Sequence, residues 1–151
     1  MNRIVATNRK AERDYDILDS VECGIELKGS EVKSLRDGKI NLNGSFALIE
    51  GGEVILYNTH ISPYSQASYL NVEPTRLRRL LLHRSQIRKI TGQLVQRGLT
   101  LIPMKAYFSD RGFVKIELAL CKGKKLYDKR EDIKRREIDL AVRRTLKNRR
   151  K

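Results

Sequence analysis

The chain has 151 residues, 40% of them hydrophobic, enough for one modest core and not for two. Its 32 Lys and Arg against 18 Asp and Glu give a net charge of +14 and a pI near 10.1, which points to a polyanionic partner. No stretch approaches the ~18–20 apolar residues of a membrane span, and none has the one-sided apolar face of a membrane-lying helix, so nucleic acid is expected rather than a lipid surface. The opening Met1-Asn2-Arg3-Ile4-Val5-Ala6 lacks the apolar run of a signal peptide, so the expected location is the cytoplasm. Cys23 and Cys121, the two cysteines, are then expected as free thiols.

In chain order, Val21, Cys23, Ile25 and Leu27 alternate with Glu22, Gly24, Glu26 and Lys28, the period of a half-buried strand. Ser30 is placed to cap a short helix over residues 31–36, ended by Gly38. Two strand-like segments, 46–50 and 53–58, flank Gly51-Gly52, a hairpin signal because both turn positions tolerate positive φ. Residues 76–82 and 86–97 are predicted as a helical region, with Ser85 as a possible cap and Gly98 as the stop. Ile87, Ile90 and Leu94 form its apolar stripe, and Arg84, Arg88, Lys89 and Arg97 lie outside it. Leu80-Leu81-Leu82 places three leucines in succession at ~100° per residue, so either one lies off the buried stripe or the helix end is buried. Thr100 to Phe108 is rich in β-formers, and a turn over Ser109-Asp110-Arg111-Gly112 leads to a further strand. There Val114, Ile116, Leu118 and Leu120 face one way, and Lys115, Glu117 and Ala119 the other. Five or six short antiparallel strands with inserted helices predict a mainly β, closed barrel of the oligonucleotide-binding type.

The charge is concentrated at one end. Residues 122–151 hold 14 basic and five acidic residues, a net of +9, whereas residues 1–121 are at +5. The division expected is an RNA-binding barrel over 1–121 and a basic tail over 122–151. The tail has too few apolar residues for its own core and is expected to be disordered when free. Residues 131–147 contain no Gly or Pro, and Ile133, Leu140 and the series Ile138, Val142 and Leu146 give a weak apolar stripe, so it is expected to become helical when bound.

No catalytic or metal motif is present. His60 and His83 are the only histidines and share no metal-ligand spacing, and neither a phosphate-cradling Gly-x-x-x-x-Gly-Lys nor a Gly-x-Ser-x-Gly occurs. Glu22 and Glu26 would share one strand face, but solvated alternation accounts for them. The chain is therefore expected to be neither an enzyme nor a user of a metal, cofactor or small-molecule substrate.

Several motifs in collinear order resemble the family of small protein B, SmpB, the bacterial proteins that bind transfer-messenger RNA. They are Asn8-Arg9-Lys10-Ala11 with Tyr15, then Gly29-Ser30-Glu31-Val32-Lys33-Ser34-Leu35-Arg36. His60-Ile61-Ser62-Pro63-Tyr64 and Leu80-Leu81-Leu82-His83-Arg84 follow, then Lys122-Gly123-Lys124-Lys125 leading to Asp128-Lys129-Arg130. The resemblance implies a six-stranded antiparallel barrel with three helices. It implies a body that grips the tRNA-like domain of transfer-messenger RNA and brings it to stalled ribosomes. The tail then occupies the vacant decoding site and message channel, which leads to rescue of the ribosome and tagging of the nascent peptide for degradation.

By the same resemblance Glu22, Leu81 and Lys115 hold the RNA, and Asn8, Arg9 and Lys10 add backbone contacts. Gly123, Lys124, Lys125, Tyr127, Asp128, Lys129 and Arg130 form the ribosome-binding tail. Lys115 can neutralise phosphate, Glu22 can only accept hydrogen bonds from base or sugar donors, and Leu81 can pack on an unstacked base. Two departures stand out: Glu12-Arg13 follows Ala11 where the family usually has Arg-His, and Tyr127 stands where histidine is also found. The free protein is expected as a monomer. The rival readings are a basic structural ribosomal protein and a magnesium-dependent nuclease.

Overall fold

The computed structural model of the protein describes residues 3–64, 72–123, 138 and 140–144. Six strands close an antiparallel ring, the expected barrel: β8 (Thr100–Phe108), β4 (Phe46–Glu50), β5 (Glu53–Tyr57), β7 (Arg78–Leu81), β2 (Tyr15–Ile25) and β9 (Val114–Gly123), with β9 pairing back to β8. A further strand, β1 (Arg3–Thr7), lies on the outer part of the β8 edge, and β3 (Ile40–Asn41) pairs with β6 (His60–Ile61) as a separate small ladder. Among the described residues three helices are inserted between the strands: α1 (Arg9–Asp14), α2 (Gly29–Arg36) and α3 (Arg84–Arg97).

The barrel interior follows the strand period. Val54, Leu56, Leu80, Leu101, Ala106, Ile116, Leu118 and Leu120 point inward and form one cluster with Ile90 of α3. Leu35 of α2 packs with Ile61, Phe108 and Val114 in a second cluster. Hydrophobic burial through Ile90 and Leu35 thus binds each of the two helices to the sheet. The hairpin over Gly51-Gly52 forms as read, with both glycines at positive φ (57° and 78°). Gly98 ends α3 in the left-handed conformation, also as read. Cys23 and Cys121 are both buried and free.

Several local expectations are corrected. Residues 78–81, expected as part of a helix, form strand β7. Its inward positions are Arg78 and Leu80 and its outward ones Arg79 and Leu81, so the alternation is present but hidden by a buried arginine. Arg78 is tolerated inside because every guanidinium nitrogen has an acceptor: Nε donates to Glu31 Oε2 at 2.6 Å, Nη1 to the Thr59 carbonyl at 2.7 Å and Nη2 to the Pro74 carbonyl at 2.9 Å. α3 starts at Arg84, not after Ser85, because the His83 N–H donates to Gln86 Oε1 at 2.9 Å and closes the first turn. α2 starts one residue before Ser30, where Glu31 Oε1 accepts from the Lys28 N–H at 2.9 Å in place of a serine cap. β2 begins at Tyr15 and stops at Ile25, so Leu27 and Glu26 lie beyond it. Ala119, read as facing outward, is on the outer face but buried, because α1 covers it together with Ile102, Met104 and Cys121.

α1 carries its own start signal in the sequence. Asn8 caps it, with Oδ1 accepting from the Ala11 N–H at 3.2 Å, while Nδ2 donates to the carbonyls of Leu42 at 3.1 Å and Pro103 at 3.0 Å. β9 extends to Gly123, paired with Tyr15, two residues past the expected end of the body. Residues 138 and 140–144 are helical, and Ile138, Leu140 and Val142 are exposed. Among the described residues, no helix is long and apolar enough to cross a membrane.

Candidate nucleic-acid interface

Strand register assembles one face from residues distant in sequence. Gly24 lies opposite Leu81 on β7 and opposite Lys115 on β9, and Lys115 lies opposite Tyr107 on β8, which lies opposite Ile4 on β1. Directly opposed residues of antiparallel strands share a face. Leu81, Gly24, Lys115, Tyr107 and Ile4 therefore form one row across the outside of five strands. The neighbouring row is Glu22, Glu117 and Lys105. The three residues expected to hold RNA, Glu22, Leu81 and Lys115, come together here.

Glu22 and Leu81 each have a supporting neighbour outside the expected set. The Tyr107 hydroxyl donates to Glu22 Oε2, fixing the carboxylate against the sheet. Burial, and then the bond to the charged Glu22, push the Tyr107 phenol well above its ordinary range, so it stays a donor at any working pH. Glu22 is also opposite Glu117, an unfavourable like-charge pair that Lys105 relieves by approaching Glu117 at 4.0 Å. The result is an acidic spot on the face of a +14 protein, a place that repels phosphate and favours hydrogen-bond donors.

Leu81 is 47% exposed, a large apolar side chain in the open. It lies over Gly24: a Cβ there would meet the Leu81 Cβ at 3.3 Å and Cδ1 at 3.4 Å. The absent side chain of Gly24 gives Leu81 its seat. Phe113, 64% exposed just before β9, stands across an open cleft of about 350 Å³ that Gly24, Leu81 and Lys115 also line. Apolar walls with a cation at the rim suit a base and its phosphate.

The remaining expected residues lie elsewhere. Arg9 and Lys10 are exposed on α1, which covers the same outer face near Ala119, four residues along β9 from Lys115 and so roughly 13 Å away at ~3.3 Å per residue. Asn8 is 1% exposed and its amide is fully engaged, so it holds α1 in place and does not offer a contact of its own. Gly123 is a strand residue. Lys124, Lys125, Tyr127, Asp128, Lys129 and Arg130 lie outside the described residues.

The two cysteines offer no nucleophile here. Burial pushes the Cys121 thiol up to about 11, and burial with the nearby Glu22 charge pushes Cys23 up to about 12 against the opposing pull of Lys115, so neither is a thiolate near neutrality. Among the described residues, no group of three His, Cys, Asp or Glu side chains could hold a metal ion.

Comparison with known proteins identifies the family of the chain. Residues 5–148 match the family model described as SmpB protein. The SsrA-binding protein of Enterococcus faecalis is 52% identical over 149 residues, covering 99% of this chain and 96% of that protein. The SsrA-binding protein of Caldanaerobacter subterraneus is 58% identical over 135 residues, covering 89% and 85% respectively. A solved chain described under "tmRNA-SmpB: a journey to the center of the bacterial ribosome" superposes with a TM-score of 0.69 at 51% identity, over 82% of this chain and 86% of its own. A collinear match over nearly the whole length, on a barrel of the same kind, places this chain in the SmpB protein family.

Proposed function

We propose that this protein binds the tRNA-like domain of transfer-messenger RNA, brings it to stalled ribosomes, and acts there by position and not by chemistry of its own. The observation that carries the reading is the row of Leu81, Gly24, Lys115 and Tyr107 beside Glu22, an RNA-suited face on a member of this family. Lys115 neutralises a phosphate, Glu22 accepts from base or sugar donors, and Leu81 packs on an unstacked base. Arg9 and Lys10 add phosphate contacts from α1. The protein works in the cytoplasm, as a monomer when free.

The basic tail, with Lys124, Lys125, Tyr127, Asp128, Lys129 and Arg130, serves the ribosome by occupying the vacant decoding site and message channel. The exposed Ile138 and Val142, helical residues four apart, support this reading, since they offer an apolar face that a partner can cover. Rescue of the ribosome and tagging of the nascent peptide follow, with peptidyl transfer left to the ribosome.

Sequencing the RNA recovered with the tagged protein tests the reading. One RNA with a tRNA-like end is expected; constitutive recovery in ribosomal subunits would identify a structural ribosomal protein instead. In a gel-shift titration, Glu22→Ala, Leu81→Ala and Lys115→Ala should each weaken binding to the tRNA-like domain while keeping a cooperative melt. The wild-type affinity should fall steeply with salt, each phosphate contact adding roughly 0.7–0.9 to the logarithmic slope. Unchanged binding by all three variants would reject the site.

Gly24→Ala probes the seat of Leu81. The added methyl would stand 3.3 Å from the Leu81 Cβ, so Leu81 should move and RNA affinity drop about as far as in Leu81→Ala, with a melting shift of only a few degrees. A large loss of stability with intact binding per folded molecule would show that Gly24 serves packing alone.

A further inference from the structure

Leu81 borders two clefts, not one. Beyond the cleft it shares with Phe113 and Lys115, it forms the rim of a larger open cleft of about 760 Å³ between the Gly51-Gly52 turn and the first turns of α3. We propose that this larger cleft is a second RNA site, and that it takes the phosphate backbone of the same RNA molecule that lies on Leu81 and Lys115. The proposal rests on the RNA-binding reading above and extends the interface past Leu81 to α3.

Two arginines carry it. Arg84 and Arg88 are one helical turn apart, both exposed and both lining the cleft, so their Cβ atoms lie ~5–6 Å apart on one side of α3. The other charged pair in the cleft is already satisfied: Arg79 donates to Glu53 at 2.9 Å and meets Glu26 at 2.9 Å. Among the described residues neither Arg84 nor Arg88 has an ion-pair partner. Helix stability does not account for them either. α3 has no acidic residue in its first turn, and cations at that end oppose the helix dipole instead of complementing it. The two cations and the dipole therefore act together on an anion.

The remaining walls fit a nucleic-acid strand better than an acidic protein. Leu82 and Ile87 line the cleft with apolar surface that a base or ribose can cover. The facing turn, Gly51-Gly52, presents backbone without side chains, and nothing lies within 4 Å of where a Cβ would stand on either glycine, so a phosphodiester chain can approach closely. Continuity decides the source. Leu81 is the ridge between the clefts, and a strand whose base packs on Leu81 leads its flanking phosphates to Lys115 on one side and to Arg84 and Arg88 on the other.

The test is the full-length double variant Arg84→Gln, Arg88→Gln, which keeps good helix formers at exposed positions, titrated with isolated tRNA-like domain RNA across a salt series. Lys115→Ala serves as the reference, and purified ribosomal subunits form a second arm. The double variant should melt as wild type, lose roughly ten- to a hundredfold in affinity for the tRNA-like RNA near 0.1 M salt, and show a logarithmic salt slope lower by about 1.4–1.8. If Lys115→Ala weakens binding while the double variant keeps wild-type affinity and slope, the second cleft is overturned and the first stands. Loss confined to the ribosomal-subunit arm would also overturn it, since the RNA would then come from another source. If Lys115→Ala itself binds as wild type, the underlying reading of the whole face fails, and the second cleft with it.

Discussion

Glu31→Ala should cost about 3–5 kcal/mol of stability, because it leaves Arg78 charged, buried and without its counter-ion. Glu31 and Arg78 are 3% and 1% exposed. The carboxylate ties α2 to β7 and the loop before it. Oε2 accepts from Arg78 Nε at 2.6 Å, and Oε1 accepts from Arg76 Nε at 3.0 Å and from the Lys28 N–H at 2.9 Å. No water can replace these contacts at so little exposure, so the loss is the desolvation cost of an orphaned guanidinium and not the modest net value of one hydrogen bond. A urea titration should show a lower midpoint with an unchanged slope, and a variant as stable as wild type would contradict the network's role. The double replacement of Glu31 and Arg78 by apolar residues should recover part of the loss, since an unpaired charge costs more than an absent pair.

The same group sets an acid limit. Burial alone would raise the Glu31 carboxyl, but the hydrogen bonds from Arg76 and the Lys28 N–H and the charge of Arg78 more than reverse this, holding it below its ordinary 4.5. A carboxyl lower in the folded state stabilises the fold above its unfolded value. That stabilisation is lost as pH falls from about 4.5 through the lowered value. Wild type should weaken over that acid window, and Glu31→Gln should show a flatter profile there.

Replacing Asp128, Lys129 and Arg130 with Ala should reduce tagging of stalled peptides to background while leaving binding of the tRNA-like RNA near wild type. The triple change alters net charge by only one unit out of +14, so a purely electrostatic tail would lose a factor of a few at most. Specific contacts in the decoding site would instead be lost outright. Truncation after Gly123 is the harsher form. It spares every strand of the barrel and removes 13 basic and five acidic residues, so the body should fold, bind RNA somewhat more weakly, and fail wholly on the ribosome. Equal loss of RNA binding and tagging in the triple variant, or of neither, would contradict the division of labour between body and tail.

Local chemistry was legible without the structure wherever one strand or turn held the whole signal. Gly51-Gly52 specified its hairpin because a two-residue turn needs positive φ, and the alternation from Val114 to Leu118 displayed its own inner face. The basic end, the free thiols and the family motifs were likewise written in the order of residues. Tertiary contacts decided what those signals could not reach. β7 was hidden because an inward arginine breaks the apolar pattern, and partners set by the fold, with Glu31 47 residues away as the counter-ion, make that arginine an interior residue. Asn8 belongs to a motif that implied RNA contact, yet its amide is spent on the carbonyls of Leu42 and Pro103. Gly24, Leu81, Tyr107 and Lys115 come from four strands, and no spacing along the chain brings them together; the register of β7, β2, β9 and β8 alone sets them side by side, because opposed residues share a face of the sheet.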